Sequence, residues 1–209
     1  YSNDFSLYRE YALTLDNPTN FHAANVFLYG TNTGSQFPYL FISETTGNKQ
    51  CYVVLLRDTT AEIVGKLSFT GTFGNGTDYF DWVYDDFRKR LLLVGYHNYG
   101  ESDNHLIIKD LGTITDNINR TYTDSDVIDT YTNHDMTTLQ GGCFANGSLV
   151  YSGNGRHGEG LYFIDPYRND YTKSFVGISD TTESEGVMFD GYNLHYLKYS
   201  GALYKFYFY

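Results

Sequence analysis

Residues 143–153, Cys-Phe-Ala-Asn-Gly-Ser-Leu-Val-Tyr-Ser-Gly, and residues 187–197, Val-Met-Phe-Asp-Gly-Tyr-Asn-Leu-His-Tyr-Leu, follow one plan. Each stretch is an apolar strand, a turn that contains glycine, and a second apolar strand. Each then continues through a glycine into a third strand, Leu161–Asp165 in the first case and Leu203–Phe206 in the second. The pattern predicts an antiparallel unit that is repeated along the chain.

The same order of strand, turn and strand occurs twice more, from Asn25 and from Trp82. The four units therefore start near Asn25, Trp82, Gln140 and Glu185, at intervals of about 45 to 58 residues, which is typical of the four-stranded blades of β-propellers. We predict an all-β fold, a β-propeller of four to five four-stranded blades, in which residues 1–209 form a single domain.

Sixteen strands are predicted, and no stretch has a sustained helical period. They are Tyr8–Leu15, Ala24–Tyr29, Tyr39–Glu44, Gln50–Arg57, Glu62–Phe69, Phe80–Tyr84, Arg90–Tyr96, His105–Asp110, Asp126–Tyr131, Gly141–Ala145, Ser148–Ser152, Gly160–Asp165, Tyr171–Ile178, Gly186–Asp190, Asn193–Tyr199 and Ala202–Phe208. The last unit has three strands, so Tyr8–Leu15 either completes that blade or belongs to a first blade that is mostly missing from a fragment.

Composition and charge exclude several classes of protein. The chain has 14 Lys and Arg against 25 Asp and Glu, a formal net charge of −11, which opposes binding to nucleic acid. Aromatic residues make up 18%, which favours sheet over helix. No apolar run is long enough for insertion into a membrane, and Cys51 and Cys143 suggest neither a disulfide framework nor a metal site.

Polar residues precede or open the first strand of each unit. In a propeller these strands line the central channel, so the side chains are expected to converge at one mouth of it, where they could bind a polyhydroxylated ligand, a cation or water. The predicted ligand-binding residues are His22, Asn25, Asp81, Trp82, Gln140 and Glu185.

Catalysis is the weaker alternative because the sequence carries no catalytic signature and implies no cofactor. The alternative is a glycoside hydrolase or lyase that uses Glu185 and a second carboxylate such as Asp81, because glycosidases need two carboxyl groups at a defined separation. Whether the chain is an enzyme is left open, with binding favoured.

Several short motifs in this order resemble the small five-bladed β-propellers of the helveticin-like and phage tail receptor-binding group. The motifs are His22–Asn25, Phe37–Glu44, Cys51–Val53, Leu139–Gly142, Asn146–Val150 and Ser184–Phe189. This sequence departs from the group in that the His-Ala-Asn element reads His-Ala-Ala-Asn, with one extra residue, and in showing no complete first blade.

The resemblance implies a non-catalytic propeller that recognises bacterial cell-surface glycan, on a phage tail or in a secreted or surface protein. Carried over by motif, the glycan-binding residues are His22, Asn25, Gln140 and Glu185. The location is then extracellular or on a virion, and other virion or envelope proteins are further expected partners. A purely structural module that docks another protein is the remaining alternative.

Overall fold

A computed structural model of the chain describes residues 11–13, 23–30, 34, 37–44, 49–74, 77–97, 104–115, 118–136, 140–178, 184–198 and 203–207. These residues form sixteen strands and one 3₁₀ turn, Asp124–Asp126. In chain order the strands are β1 (Ala23–Tyr29), β2 (Tyr39–Glu44), β3 (Gln50–Leu56), β4 (Ala61–Phe69), β5 (Thr77–Asp85), β6 (Arg90–His97), β7 (His105–Asp110), β8 (Asn119–Tyr122), β9 (Asp129–Asn133), β10 (Gly141–Ala145), β11 (Ser148–Gly153), β12 (Gly160–Ile164), β13 (Thr172–Gly177), β14 (Ser184–Phe189), β15 (Asn193–Lys198) and β16 (Leu203–Tyr207).

The strands form four sheets, and the sheets are the blades of a β-propeller. The first sheet has the order β1-β2-β3-β4-β8, the second β5-β6-β7-β9, the third β10-β11-β12-β13 and the fourth β14-β15-β16. Neighbouring strands are antiparallel except β4 and β8, which are parallel. The predicted all-β propeller is confirmed. Three of the four unit starts inferred from the sequence, Asn25, Trp82 and Glu185, belong to the innermost strand of a sheet, and the fourth, Gln140, immediately precedes β10.

The innermost strands β1, β5, β10 and β14 lie next to the axis. Strand β10 contacts the other three, and β1 also contacts β5. Strands β1 and β5 run in the same direction, because Asn25 lies beside Trp82 and the ring of Phe27 stacks on the ring of Tyr84. This direction places the ends of the inner strands at a common mouth of the ring.

Three buried clusters fill three of the seams between sheets. The seam between the first and second sheets contains Phe41, Val53, Trp82 and Leu93. The seam between the second and third sheets contains Val83, Leu92, Leu149 and Tyr162. The seam between the third and fourth sheets contains Val150, Leu161, Leu194 and Tyr196. Burial of these side chains supplies most of the driving force for packing the sheets together.

The hairpin from β10 to β11 forms as the sequence predicts. Asn146 and Gly147 both have positive φ, 48° and 75°, the backbone conformation of a tight two-residue turn that matches the twist of the strands. A second feature of this hairpin is that a Cβ on Gly142 would lie 2.2 Å from the Tyr151 ring. The missing side chain lets Tyr151 lie across β10 toward the axis.

Several strand predictions are wrong in detail. The predicted strand Asp126–Tyr131 begins only at Asp129, because Thr123 N–H donates to Asp126 Oδ2 at 2.8 Å and closes the preceding 3₁₀ turn. Strand β8 was missed, and it gives the first sheet a fifth strand. Of Tyr8–Leu15 the structure describes only residues 11–13, which are not in a strand, and the rest lies outside the described residues.

Candidate functional site

Asn25, Asp81 and Trp82, three of the predicted ligand-binding residues, lie together at the axis. Asn25 Nδ2 donates to the Trp82 carbonyl oxygen at 3.3 Å. Ser43 connects β2 to β5, because its Oγ accepts from Trp82 N–H at 2.9 Å and lies 3.4 Å from Asp81 Oδ1. These bonds join the first sheet to the second.

The Asp81 carboxyl is buried with incomplete hydrogen bonding. Its Oδ2 has no hydrogen-bond partner among the described residues, and the buried Tyr151 hydroxyl faces it without good hydrogen-bond geometry. Burial raises the pKa of Asp81 from 3.8 to about 7, and the interactions with Tyr151 and Ser43 oppose the rise. Near neutral pH the axis therefore holds a carboxyl that is part protonated.

The remaining predicted residues are placed differently. Trp82 has no exposed surface and packs against the Tyr122 ring, so its indole is part of the core. Gln140 and Glu185 are both partly buried, and Glu185 belongs to β14. His22 lies outside the described residues. The structure thus joins three of the six predicted residues in one buried cluster, and ligand binding by any of the six stays a prediction.

A groove lies between the described parts of the fourth and first sheets at β1, whereas Ile42, Tyr52 and Val54, on the same face of β2 and β3, are buried. The cavity has a volume of about 1560 Å³ and is lined by residues of all four sheets. Its first wall is the outer face of β1, where Val26 is 50% and Leu28 57% exposed. On the opposite wall Met188 is 58% exposed, and Leu197 and Leu203 of β15 and β16 lie beside it. We call this cavity the seam groove.

The end of the seam groove is formed by the turns that follow β5 and β10. These turns contribute basic side chains, Arg88 and Lys89, and Lys173 reaches the second turn from β13. Lys173 Nζ donates to the Gly147 carbonyl oxygen at 2.7 Å. Asp86 is the one carboxylate among the described lining residues, and it lies 2.6 Å from Lys89 Nζ.

Two further titratable side chains line the seam groove. His195 Nε2 lies 2.8 Å from Asp190 Oδ2, and hydrogen bonding to His195 is the main reason that the pKa of Asp190 is well below its usual range. Burial raises the pKa of the Cys143 thiol to about 12, so at neutral pH it is a protonated, weakly nucleophilic group.

The described residues also bear on metal binding and on membrane insertion. No group of three or more His, Cys, Asp or Glu side chains suited to a metal ion is present among them. None of the helical segments in that part of the chain is long and apolar enough to cross a membrane.

Sequence reasoning missed the seam groove. A signal was present in β1, where Asn25, Phe27 and Tyr29 alternate with the apolar Val26 and Leu28. A strand that is apolar on both faces is normally covered on both sides. Sequence alone does not show that Val26 and Leu28, on the second face of β1, are about half exposed in the folded chain.

Comparisons with known proteins support the fold alone. No family model matches the chain, and no curated protein matches it. Among solved structures, the β-propeller domain of Nup133 from Vanderwaltozyma polyspora superposes with a TM-score of 0.52 at 10% identity, over 94% of this chain and 58% of that domain. A chain of a nidogen/laminin complex superposes with a TM-score of 0.42 at 15% identity, over 78% of this chain and 52% of the other.

Proposed function

We propose that the chain is a non-catalytic binding module that docks a partner protein in the seam groove. A propeller fold is consistent with a docking or binding module. The observation that carries the proposal is the seam groove: apolar clusters of described residues fill three seams, whereas Val26 and Leu28 of β1 and Met188 of β14 are each about half exposed on the two sides of the fourth. Exposed apolar surface grouped in a concave site is typical of binding surfaces.

The energetics favour an apolar partner surface. Full burial of a Val, Leu or Met side chain contributes on the order of 1.5–3 kcal/mol. Val26, Leu28 and Met188 are each about half exposed, so covering them contributes on the order of 1 kcal/mol each. Together with Leu197 and Leu203 these side chains contribute roughly 5 kcal/mol, which only matches the lower end of the about 4–15 kcal/mol cost of association, so a stable complex requires the partner to contact other lining residues as well.

The chemistry of the seam groove favours binding over catalysis. A nucleophilic cysteine acts as the thiolate, and the raised pKa of Cys143 opposes that form. Asp86 is paired with Lys89, and His195 with Asp190. A glycosidase needs two carboxyl groups on either side of the substrate, one with a raised pKa and one ionised. Asp81 is instead enclosed in the core.

The test is selection of 12-residue peptides from a random display library against the chain. Selected peptides are expected to lose at least ten-fold in affinity on Leu28→Glu, and on Met188→Glu from the opposite wall, as measured by fluorescence anisotropy. The matched control is Ile128→Glu, because Ile128 is 61% exposed and lies outside the seam groove. Equal affinity for all three variants and the unchanged chain would contradict the proposal, as would failure to select any binding peptide.

Recognition of bacterial cell-surface glycan is the second candidate, with the extracellular or virion location that the resemblance to the helveticin-like and phage tail group implies. It is favoured by two exposed aromatic rings, Phe87 at the seam groove and Tyr192 in the turn after β14, which are 81% and 83% exposed. Such rings stack on sugars with little loss of side-chain entropy. Retention on a bacterial glycan array that is lost in Phe87→Ala or Tyr192→Ala would support it.

A further inference from the structure

We propose that a row of histidines at one end of the second sheet, His97, His105 and His134, binds a divalent transition-metal ion, and that zinc is the ion it takes. His105 and His134 lie outside the described lining of the seam groove, so the proposal does not rest on the docking function. Three observations carry it: the register of three strands, the distance between two imidazole rings, and a carboxylate that orients one of these rings.

The backbone register puts the three histidines at neighbouring positions. His97, the last residue of β6, is the register partner of His105, the first residue of β7. Leu106 pairs with Asn133 of β9, so His134, the next residue of the chain, is level with His105. Residues directly opposite on antiparallel strands have Cβ atoms about 4.5–5.5 Å apart. Imidazole groups at such positions are close enough to share one metal ion.

The rings of His105 and His134 have a spacing that suits a shared ion. Their centroids are 4.7 Å apart. A Zn–N bond is about 2.0–2.1 Å long and zinc is tetrahedral, so two imidazole rings on one zinc ion have centres roughly 5 Å apart. The two strands therefore need not separate. Because no three described His, Cys, Asp or Glu side chains form a metal-binding group by themselves, we assign the third protein ligand to His97 from its register position.

Asp170 supplies the carboxylate partner that metal-bound histidines commonly have. His134 Nδ1 lies 2.6 Å from Asp170 Oδ1, and the His134 backbone N–H donates to the same oxygen at 2.9 Å. The tautomer with its proton on Nδ1 donates to the carboxylate and presents Nε2 as the metal ligand. Asp170 lies in the turn between β12 and β13, and its N–H donates to the Thr132 carbonyl oxygen at 2.8 Å. A bound ion therefore also fastens the third sheet to the second.

The site is open to solvent, and its ligands favour transition metals. The side chains of His134 and Asp170 are 49% and 55% exposed, so an ion can enter while the sheets stay in place. Imidazole nitrogen suits zinc, nickel and copper ions, whereas magnesium and calcium prefer oxygen ligands. The formal net charge of −11 attracts cations in general. The ligand type therefore decides the selectivity, and we expect the site to bind zinc in preference to magnesium.

The test is isothermal titration calorimetry of the chain, without a histidine tag, against zinc chloride and magnesium chloride at pH 7.5. The expected result is one zinc ion per chain, with at least ten-fold weaker zinc binding to His105→Ala and to His134→Ala. His157→Ala is the matched control, because His157 is an exposed histidine in the loop before β12 and its loss should leave zinc binding unchanged. Asp170→Asn is expected to weaken zinc binding about 10- to 100-fold.

A second measurement uses the unchanged chain and keeps the proposal testable if a variant fails to fold. Diethyl pyrocarbonate acylates accessible imidazole nitrogens, and mass spectrometry identifies the modified histidines. Zinc is expected to slow the modification of His97, His105 and His134 and to leave that of His157 unchanged. Because a metal-bound imidazole must be unprotonated, zinc affinity is also expected to fall at least ten-fold from pH 7.5 to pH 5.5.

Several results would overturn the proposal. These are the absence of zinc binding, zinc binding that is unchanged in His105→Ala and His134→Ala, and binding of magnesium as tight as that of zinc. Equal modification of the three histidines with and without zinc would overturn it as well. Zinc binding that depends on His105 and His134 but is unchanged in His97→Ala would overturn the assignment of the third ligand. None of these results bears on docking in the seam groove, which peptide selection tests separately.

Discussion

Asp81 is predicted from its chemistry to bind a ligand, and in the structure it is buried at the axis. The sequence marks it as a polar group at the start of an inner strand, and it does lie at the axis. What the sequence does not show is that Ser43 and Tyr151, from two other sheets, enclose it. The burial of Asp81 depends on residues from three sheets, so no local sequence pattern predicts it.

Burial of the Asp81 carboxyl makes the stability of the folded chain depend on pH. Because the pKa of Asp81 is raised on folding from 3.8 to about 7, the folded state holds a proton in that interval that the unfolded state has released. The contribution of Asp81 to the free energy of unfolding is therefore fully present below pH 3.8 and is lost as the pH rises through about 7. Relative to the unchanged chain, Asp81→Asn is expected to gain stability between pH 4 and pH 8, by up to about 4 kcal/mol.

Urea unfolding of both proteins at pH 4, 6 and 8 measures this difference. The exposed carboxylate Asp86 provides the control, because Asp86→Asn should change the free energy of unfolding by less than about 0.5 kcal/mol at each pH. A difference between Asp81→Asn and the unchanged chain that stays constant from pH 4 to pH 8 would show that Asp81 does not titrate in this range in the folded state.

At the scale of elements, the strands and turns that could be predicted are those specified by a few neighbouring residues. Most strands and the Asn146-Gly147 turn follow from alternation and turn chemistry, which act over a few residues. Strand β8 depends instead on β4, more than 50 residues earlier, in a parallel pairing that needs no hairpin. Its sequence, Asn-Arg-Thr-Tyr, is short and polar, so only the assembled sheet identifies it.

Strand β8 lies between β7 and β9 in the chain but pairs with β4 in the first sheet, and this pairing can be tested at Gly65 of β4. A Cβ at Gly65 would lie 2.4 Å from the Ile118 carbonyl oxygen, immediately before β8. Gly65→Ala is therefore expected to displace β8 and to destabilise the fold by about 1–3 kcal/mol. Hydrogen exchange should accelerate at the amides of Asn119–Tyr122, while the β5–β6 hairpin stays protected.

Gly186→Ala serves as the control, because a Cβ there meets no atom within 4 Å. Unchanged exchange at β8 in Gly65→Ala would mean that the close approach of Gly65 to Ile118 is not needed for the parallel pairing.

At the scale of the whole molecule, the seam groove arises from the difference between the fourth seam and the other three. The sequence repeat predicts the sheets and their order, but the seam groove is lined by residues about 160 positions apart, Leu28 and Met188 among them. Their aliphatic character gives no chemical signature of binding. Sequence analysis therefore favoured the polar axial residues, and the apolar groove was found only in three dimensions.

Hydrogen exchange of the chain with a selected peptide tests the central claim most directly. If the open seam is the docking surface, peptide binding should slow exchange in β1, β14 and β15, which form its walls, and leave β6 and β7 unchanged. Protection confined to the three filled seams, or to the buried axial cluster around Asp81, would contradict the account.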